Sequence, residues 1–415
     1  MITRLEASRY RCFERLAIDT GPYQVLVGAN GSGKSTLLDL PLLLGDLLRQ
    51  RQISDAFLEP RGHRPPRATT LAELVFLQRG RDFAFAVEAR LPELLATRLS
   101  DGDRVVDHLR YEIRLRVDSP QSLIVDSEHL IAFPMTEAYA ADRPPARGDS
   151  VSAAGGIRVL ERSGSAPAVF TREAGQGGKS ELALEKSLLA LPHVIFEPEK
   201  NHPAARWFHD LLTAKAVYFV PVWNDLHTAC PPGGKPTLVG SGRNLPWLAL
   251  ELKQTDPVLF ADWIAHVSEA LPIRDIKVVE REEDHHAYFV VEYSNGVTVT
   301  SSGLSDGTLR LLAYTLPAYL PRPPAIMMIE EPENGIHPRA VETVLQALAS
   351  TYESQVWVAS HSPVVLAHTD LDHILCARLS SGGAAEVLSG RAHPRLANWQ
   401  GSIDLGSLFA AGVLG

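Results

Sequence analysis

Apolar and polar residues alternate over Ile2–Ala7 and Leu16–Asp19, the period of half-buried strands, and Tyr23-Gln-Val-Leu-Val27 reads as a buried one. A glycine-rich turn follows. Lys34–Gln50 then has apolar residues at helical spacing, with Pro41 expected to kink or interrupt the helix. Residues 51–70 are polar, with Arg61, His63, Arg64 and Arg67 among prolines, and read as an exposed, solvated loop. Alternation returns at Leu74–Gln78, Phe83–Leu91 and Arg110–Val117. Glycine and proline punctuate residues 134–179, which reads as mobile loops of a peripheral lobe. Helical spacing follows at Glu181–Leu191 and Ala204–Ala214, then a strand at Ala216–Val220 and a Pro/Gly-rich link. Asn244–Leu271 is helical with a break near Pro257, and Ile276–Glu282, Ala287–Tyr293 and Val297–Thr300 read as strands. The last third alternates helix and strand: Asp306–Leu320, Ala325–Ile329, Pro338–Tyr352 and Gln355–Ala359. That order predicts a parallel sheet covered by helices, an α/β fold.

Composition narrows the class of protein. The chain has 415 residues, 45% hydrophobic and 21% charged, which excludes wholesale disorder and predicts two or three domains. Three widely spaced cysteines exclude a disulfide framework or zinc cluster and fit a reducing cytoplasm. No apolar run is long enough to span a membrane, and the N-terminus lacks a signal-peptide core. Lys plus Arg number 40 against 49 Asp plus Glu, a net charge of −9, which argues against a free-standing nucleic-acid platform.

Four stretches carry chemistry. Gly28-Ala-Asn-Gly-Ser-Gly-Lys-Ser35 fits G-x-x-x-x-G-K-[ST] between a buried strand and a helix. There, backbone N–H groups converge on a phosphate and the helix N-terminus adds positive potential. Lys34 would span the β- and γ-phosphates of a nucleoside triphosphate, and the Ser35 hydroxyl would ligate Mg²⁺. Ala325-Ile-Met-Met-Ile-Glu-Glu-Pro332 is an apolar strand ending in two carboxylates. Glu330 is placed to hold Mg²⁺, and Glu331 to accept a proton from the attacking water. Ser305-Asp-Gly307 opens an apolar-faced helix whose first N–H groups can meet an anion. His361, in Ala-Ser-His-Ser-Pro just past a buried strand, is placed to contact a γ-phosphate or sense its loss.

These four motifs, in this order, resemble the ABC-type ATPase superfamily, in particular its soluble branch of RecF, SMC-type heads, DNA-repair ATPases and OLD-type defence ATPases. GANGSGKST is similar to Walker A, LSDGT to the signature motif, IMMIEEPENGIHP to Walker B plus D-loop, and ASHSP to the switch-histidine region. The resemblance implies an ABC-type P-loop ATPase head, a mixed sheet core with helices, carrying an inserted α+β lobe. Residues 1–91 would form the N-terminal half of the head, 92–290 the lobe, and 291–415 the C-terminal half. It further implies two heads sandwiching two ATP molecules. Asn30, Gly31, Ser32, Gly33, Lys34, Ser35 and Thr36 would hold ATP in one subunit, and Ser305 and Gly307 would reach it from the other. Asn334, Gly335 and His337 would lie at the dimer seam. Arg11 matches an arginine that approaches the nucleotide in these proteins. Glu330 differs from the aspartate usual at the first carboxylate. Gln78 lies too early in the chain for the family's Q-loop.

The resemblance points to an ATP-hydrolysing cytoplasmic switch that dimerises on ATP and controls a separate effector, such as a nuclease or toxin, in bacterial anti-phage defence. Two alternatives stand beside it: a RecF-like DNA-repair ATPase that binds DNA, and an ATP-gated scaffold with little turnover. Only 54 residues follow His361, too few for a Toprim domain, so no nuclease site is expected in this chain.

Overall fold

The N-terminal alternation folds into two antiparallel strands, β1 (Ile2–Tyr10) and β2 (Phe13–Asp19), and β3 (Tyr23–Val27) follows with every residue buried. The computed structural model describes residues 1–61, 64–100, 106–136, 156–173, 178–396 and 404–412. They divide into two units: 1–21, 31–215 and 377–388 in the first, 22–30, 216–376 and 389–415 in the second. Residues 92–290, expected as one lobe, are thus divided after Lys215. The physical reason is β10 (Ala216–Tyr218), which pairs in parallel with the Glu-Glu strand of the second unit and so carries the chain into that unit's sheet.

In the first unit, β1 and β2 join β4 (Asp82–Arg90), β5 (His108–Ser119), β6 (Ser122–Phe133), β7 (Ile157–Ser163), β8 (Ala168–Thr171) and β9 (Lys179–Leu182). The resulting antiparallel sheet has the order β2-β1-β4-β5-β6-β7-β8-β9. Its side chains include a buried ionic cluster. Arg110 donates to Glu6 at 3.0 Å, Glu88 at 2.7 Å and Glu112 at 2.5 Å, with each side chain 1% exposed or less. Half of the glycine- and proline-rich stretch expected to be mobile, residues 137–155 and 174–177, lies outside the described residues, as does His63. Residues 156–173 carry β7 and β8.

Three local expectations are corrected here. The helix Lys34–Arg49 runs through Pro41 without interruption. Proline removes the N–H that would bond the carbonyl of Leu37, but Leu37–Leu44 and Leu47 are buried, and that packing outweighs the lost bond. Gly45 explains one packing contact, because a Cβ there would stand 2.2 Å from the Leu212 carbonyl of helix Pro203–Thr213. Leu74–Gln78 is not a strand. Leu71–Leu74 and Phe76–Gln78 are 3-10 turns, started by reciprocal capping between Thr70 and Glu73 and broken by left-handed Leu77 and Gln78. Glu181–Leu191 is not a helix either. Its start belongs to β9, and its end is held by Glu128, whose carboxylate accepts from the N–H groups of Ala190 at 2.6 Å and Leu191 at 2.8 Å.

The basic loop also departs from expectation. Arg67 has a side chain only 1% exposed. It donates to Asp39 at 2.5 Å and to Asp46 at 2.8 Å, both on the helix Lys34–Arg49. Arg61 reaches the same Asp39 at 2.8 Å and Arg64 at 3.6 Å. Burial opposes the charge of Asp39, yet Arg67, Arg61 and Arg64 together hold it below the usual carboxylate range. The loop is folded down onto helix carboxylates rather than solvated.

The second unit contains the predicted parallel sheet. β14 (Ile326–Glu330) pairs with β10 on one side and with β15 (Gln355–Ser360) on the other; β15 pairs with β3, and β3 with β16 (Ile374–Leu379). All these pairings are parallel, so the carboxyl ends of the strands share one edge. In the registers, Glu330 stands opposite Ala359 and Ser360 opposite Val27. A three-stranded antiparallel sheet, β11 (Ile273–Glu280), β12 (Ala287–Tyr293) and β13 (Thr298–Thr300), completes the strands of this unit's core. Fully buried Trp263, on helix Pro257–Ala270, packs in that core and donates Nε1–H to Thr315 Oγ1 at 2.9 Å. Helices Leu245–Thr255 and Pro257–Ala270 break at Asp256, which caps the second by accepting from Leu259 N at 2.9 Å.

Candidate functional site

The shared carboxyl edge of the parallel sheet gathers the ends of three motif-bearing strands. β3 ends at Val27, and Gly28–Asn30 continue from it. β14 ends at Glu330, whose Oε1 is buried and has no hydrogen-bond partner. β15 ends at Ser360, immediately before His361.

Glu331 follows β14 with a left-handed φ of +48°, a conformation a glutamate adopts at a cost of the order of 1–3 kcal/mol. Surrounding bonds fix it there. Its N–H donates to the Ala359 carbonyl at 2.8 Å, and its carbonyl accepts from Asn334 N at 3.0 Å. Both carboxylate oxygens are engaged as well: Oε1 lies 2.8 Å from His361 Nδ1, and Oε2 accepts from Asn334 Nδ2 at 2.5 Å. The Glu331 side chain is 38% exposed and that of His361 49%, so the pair faces solvent.

Behind this pair is a third carboxylate that the sequence reading did not single out. Glu333 Oε1 accepts from Ser360 Oγ at 2.5 Å, and Ser360 Oγ in turn accepts from Ser362 N at 3.0 Å. Burial, reinforced by the charge of Glu331, pushes the Glu333 carboxyl above its usual range, although the Ser360 bond pulls it down. The segment Ser360–Ser362 that carries His361 is thereby tied to the turn after β14. The only local hint of this was the repeated glutamate in Glu-Glu-Pro-Glu.

The serine-capped helix is Asp306–Thr315. Ser305 is its cap and accepts from Thr308 N at 3.2 Å. A Cβ on Gly307 would stand 3.2 Å from the Gly335 carbonyl, so this helix start abuts the turn Asn334–His337. Arg310 holds the two together: it donates to the Asn334 carbonyl at 2.5 Å, and a Cβ on Gly335 would meet its guanidinium at 2.9 Å. Gly335 has a φ of +74°. His337 caps the next helix, Pro338–Ala349, by accepting from Arg339 N at 3.2 Å.

The remaining candidates belong to the first unit. Gly31 and Gly33 have φ of +81° and +96°, conformations that favour glycine. Gly33 immediately precedes the helix that begins at Lys34, and a Cβ on it would stand 3.0 Å from Cys12 Sγ and 3.2 Å from Phe13. Ser32 is buried and its Oγ has no partner. Ser35 is exposed; Lys34 and Thr36 are half-buried. Arg11 occupies the turn between β1 and β2 with a φ of +51° and donates to the Arg67 carbonyl. Its guanidinium lies 5.9 Å from the Tyr10 ring centroid. The structure therefore brings Glu331, His361 and Asn334 together, and Ser305 and Gly307 against Gly335, within the second unit. Asn30 belongs to that unit, whereas Gly31–Thr36 and Arg11 belong to the first.

A strand–glycine loop–helix, parallel strands ending in Glu-Glu-Pro and Ser-His-Ser, and a serine-capped helix are the elements of a mixed α/β architecture of the kind found in P-loop heads. Residues 248–367 match the family described as "AAA domain, putative AbiEii toxin, Type IV TA system", less than a third of the chain. A 62-residue stretch is 39% identical to the OLD nuclease of Thermus scotoductus, spanning 14% of this chain and 12% of that protein. An Smc head bound to the C-terminal winged-helix domain of ScpA aligns over 93% of this chain and 97% of its own, with a TM-score of 0.52 and 14% identity. An Smc head with an extended coiled coil, bound to the C-terminal domain of ScpA from Pyrococcus furiosus, aligns over 93% and 95%, with a TM-score of 0.49 and 14% identity. The chain thus shares the fold of that first Smc head, and parts of it are similar to the AAA-domain family and to the OLD nuclease. Among the described residues no helix is long and apolar enough to cross a membrane, and no group of three or more His, Cys, Asp and Glu is arranged to hold a metal by itself.

Proposed function

We propose that this chain is an ATP-hydrolysing switch of the cytoplasm that pairs with a second copy of itself on binding ATP. The observation that carries the reading is the Glu331 carboxylate, held at both oxygens by His361 and Asn334 in a left-handed backbone that its neighbours enforce. A carboxylate fixed in this way is prepared to take a proton from an attacking water without reorganising.

Asn30, Gly31, Ser32, Gly33, Lys34, Ser35 and Thr36 bind the triphosphate in this reading: the loop N–H groups cradle it, and Lys34 meets its terminal oxygens. Arg11, pinned to the Arg67 carbonyl, directly precedes Cys12 and Phe13, which lie against Gly33 of the loop, and contributes charge towards the nucleotide. Ser35 and Glu330 would hold Mg²⁺, since a hydroxyl and the unpartnered buried Oε1 of Glu330 are the hard oxygen donors that this ion takes, and its charge would offset that of the triphosphate. Glu331 accepts the water's proton on its carboxylate, and His361, bonded to the other side of that carboxylate group, orients it and faces the γ-phosphate. Ser305 and Gly307 offer a hydroxyl and an N–H to the γ-phosphate of the partner's nucleotide. Hydrolysis then removes the group that both subunits grip, and the pair opens.

The output of such a switch is a separate protein. The matched OLD nuclease, the AbiEii-type domain description and the Smc heads bound to ScpA support a reading in which this ATPase controls an effector, a nuclease or toxin in anti-phage defence. Phosphate release from ATP by the purified protein, and its loss in Lys34→Ala, test the enzymatic claim. A chain that binds ATP with no turnover is instead an ATP-gated scaffold. ATP-dependent DNA binding across a salt series would favour the RecF-like repair reading.

A further inference from the structure

The short helix Trp223–His227 belongs to none of the four motifs, yet it lies along the serine-capped helix. His227 Nδ1 is 3.0 Å from the Ser301 carbonyl oxygen, and its Nε2 is 2.9 Å from Asp306 Oδ1. A carbonyl and a carboxylate both accept hydrogen bonds, so the ring is set between two acceptors, one at each nitrogen. Four residues earlier, Trp223 lies beneath the Arg310 guanidinium, which stands 3.8 Å from the ring centroid. Arg310 is likewise four residues after Asp306, so the contacts 227–306 and 223–310 are spaced one turn apart on both helices. Arg310 carries the connection onward to the Asn334 carbonyl.

Asp306 lies between Ser305 and Gly307, the two residues read above as ligands of the partner's γ-phosphate. A carboxylate there repels a triphosphate unless it is engaged and held aside. We infer that His227 is a positioning residue whose ring, set between the Ser301 carbonyl and the Asp306 carboxylate, engages that carboxylate and holds Ser301–Gly307 in the form that accepts the partner's phosphate. The inference rests on the proposed role of Ser305 and Gly307.

The test uses full-length Glu331→Gln protein, in which turnover is blocked, with ATP and Mg²⁺. Dimerisation is measured by sedimentation velocity, and binding of a fluorescent ATP analogue is followed in parallel. Adding His227→Gln should weaken dimerisation on the order of tenfold. The further change Asp306→Asn should regain most of that loss, because the carboxylate left without its partner is gone, and nucleotide binding should stay unchanged in each variant. Pairing unaffected by His227→Gln, or losses that simply add in the double variant, overturn the role of His227 while leaving the dimer intact. Nucleotide binding with no dimer in the parent protein overturns the role of Ser305 and Gly307, and the inference with it.

Discussion

Replacing Arg67 with methionine tests whether the basic loop is part of the fold that supports the phosphate-loop helix. The substitution preserves much of the side chain's volume and removes its charge. Asp39 and Asp46, with side chains 9% and 18% exposed, lose their principal partner. Removing one member of a buried ion pair costs about 3–5 kcal/mol. The lower end, about 3 kcal/mol, applies here, because Arg61 remains 2.8 Å from Asp39 and Arg49 remains 2.5 Å from Asp46. For a unit of roughly 200 residues this corresponds to a fall in melting temperature of about 6–12 °C. Differential scanning calorimetry reads it directly, and hydrogen exchange localises it to the helix Lys34–Arg49. The double variant Arg67→Met, Asp39→Leu should regain most of the loss, since the stranded charge is gone. An unchanged melting temperature in the single variant, or additive losses in the double, would refute the reasoning.

Other predictions concern the ionic cluster and the serine-capped helix. Glu112 is pushed up to about 7 by burial, together with the charges of Glu6 and Glu88, against the pull of Arg110. The folded state therefore holds a proton that the unfolded chain releases near its ordinary value of 4.5, so stability should fall as pH rises from about 4.5 to 7. Urea titrations across that range should show this slope, and Glu112→Gln should flatten it. Arg310→Ala removes the Trp223 stack and the bond to Asn334 and should lower ATP turnover on the order of tenfold through misalignment. Nucleotide affinity should be unaffected, and equal losses in both would contradict this assignment.

What could be read from the sequence divides along physical lines. Strand–turn–helix signals act within a few residues, so Tyr23–Val27, the glycine loop, Ile326–Glu330 and Gln355–Ser360 emerge where their patterns place them. The break at Pro257 was equally local. Misreadings arise where a distant residue decides. Glu128 captures the N–H groups of Ala190 and Leu191 from 62 and 63 residues away and overrides helical spacing at Glu181–Leu191. Arg67 looks solvated beside three prolines until Asp39, 28 residues away, is seen to bury it. Pro41 signals a break that the leucine-rich packing of its helix overrides. Glu331 and His361 were legible as motif residues. The hydroxyl of Ser360 and the ring of His227 were not, because their partners lie 27 and 79 residues away.

The central claim is that Glu331 is the base of an ATPase whose nucleotide-bound state is a dimer. Single-turnover hydrolysis by Glu331→Gln, with ATP affinity and oligomeric state measured in the same preparation, addresses it most directly. Loss of a general base predicts hydrolysis slowed by about 10²–10⁴-fold, with ATP bound as tightly as before and a dimer accumulating only with ATP. Hydrolysis at the unaltered rate, or a chain that stays monomeric with ATP bound, would contradict it.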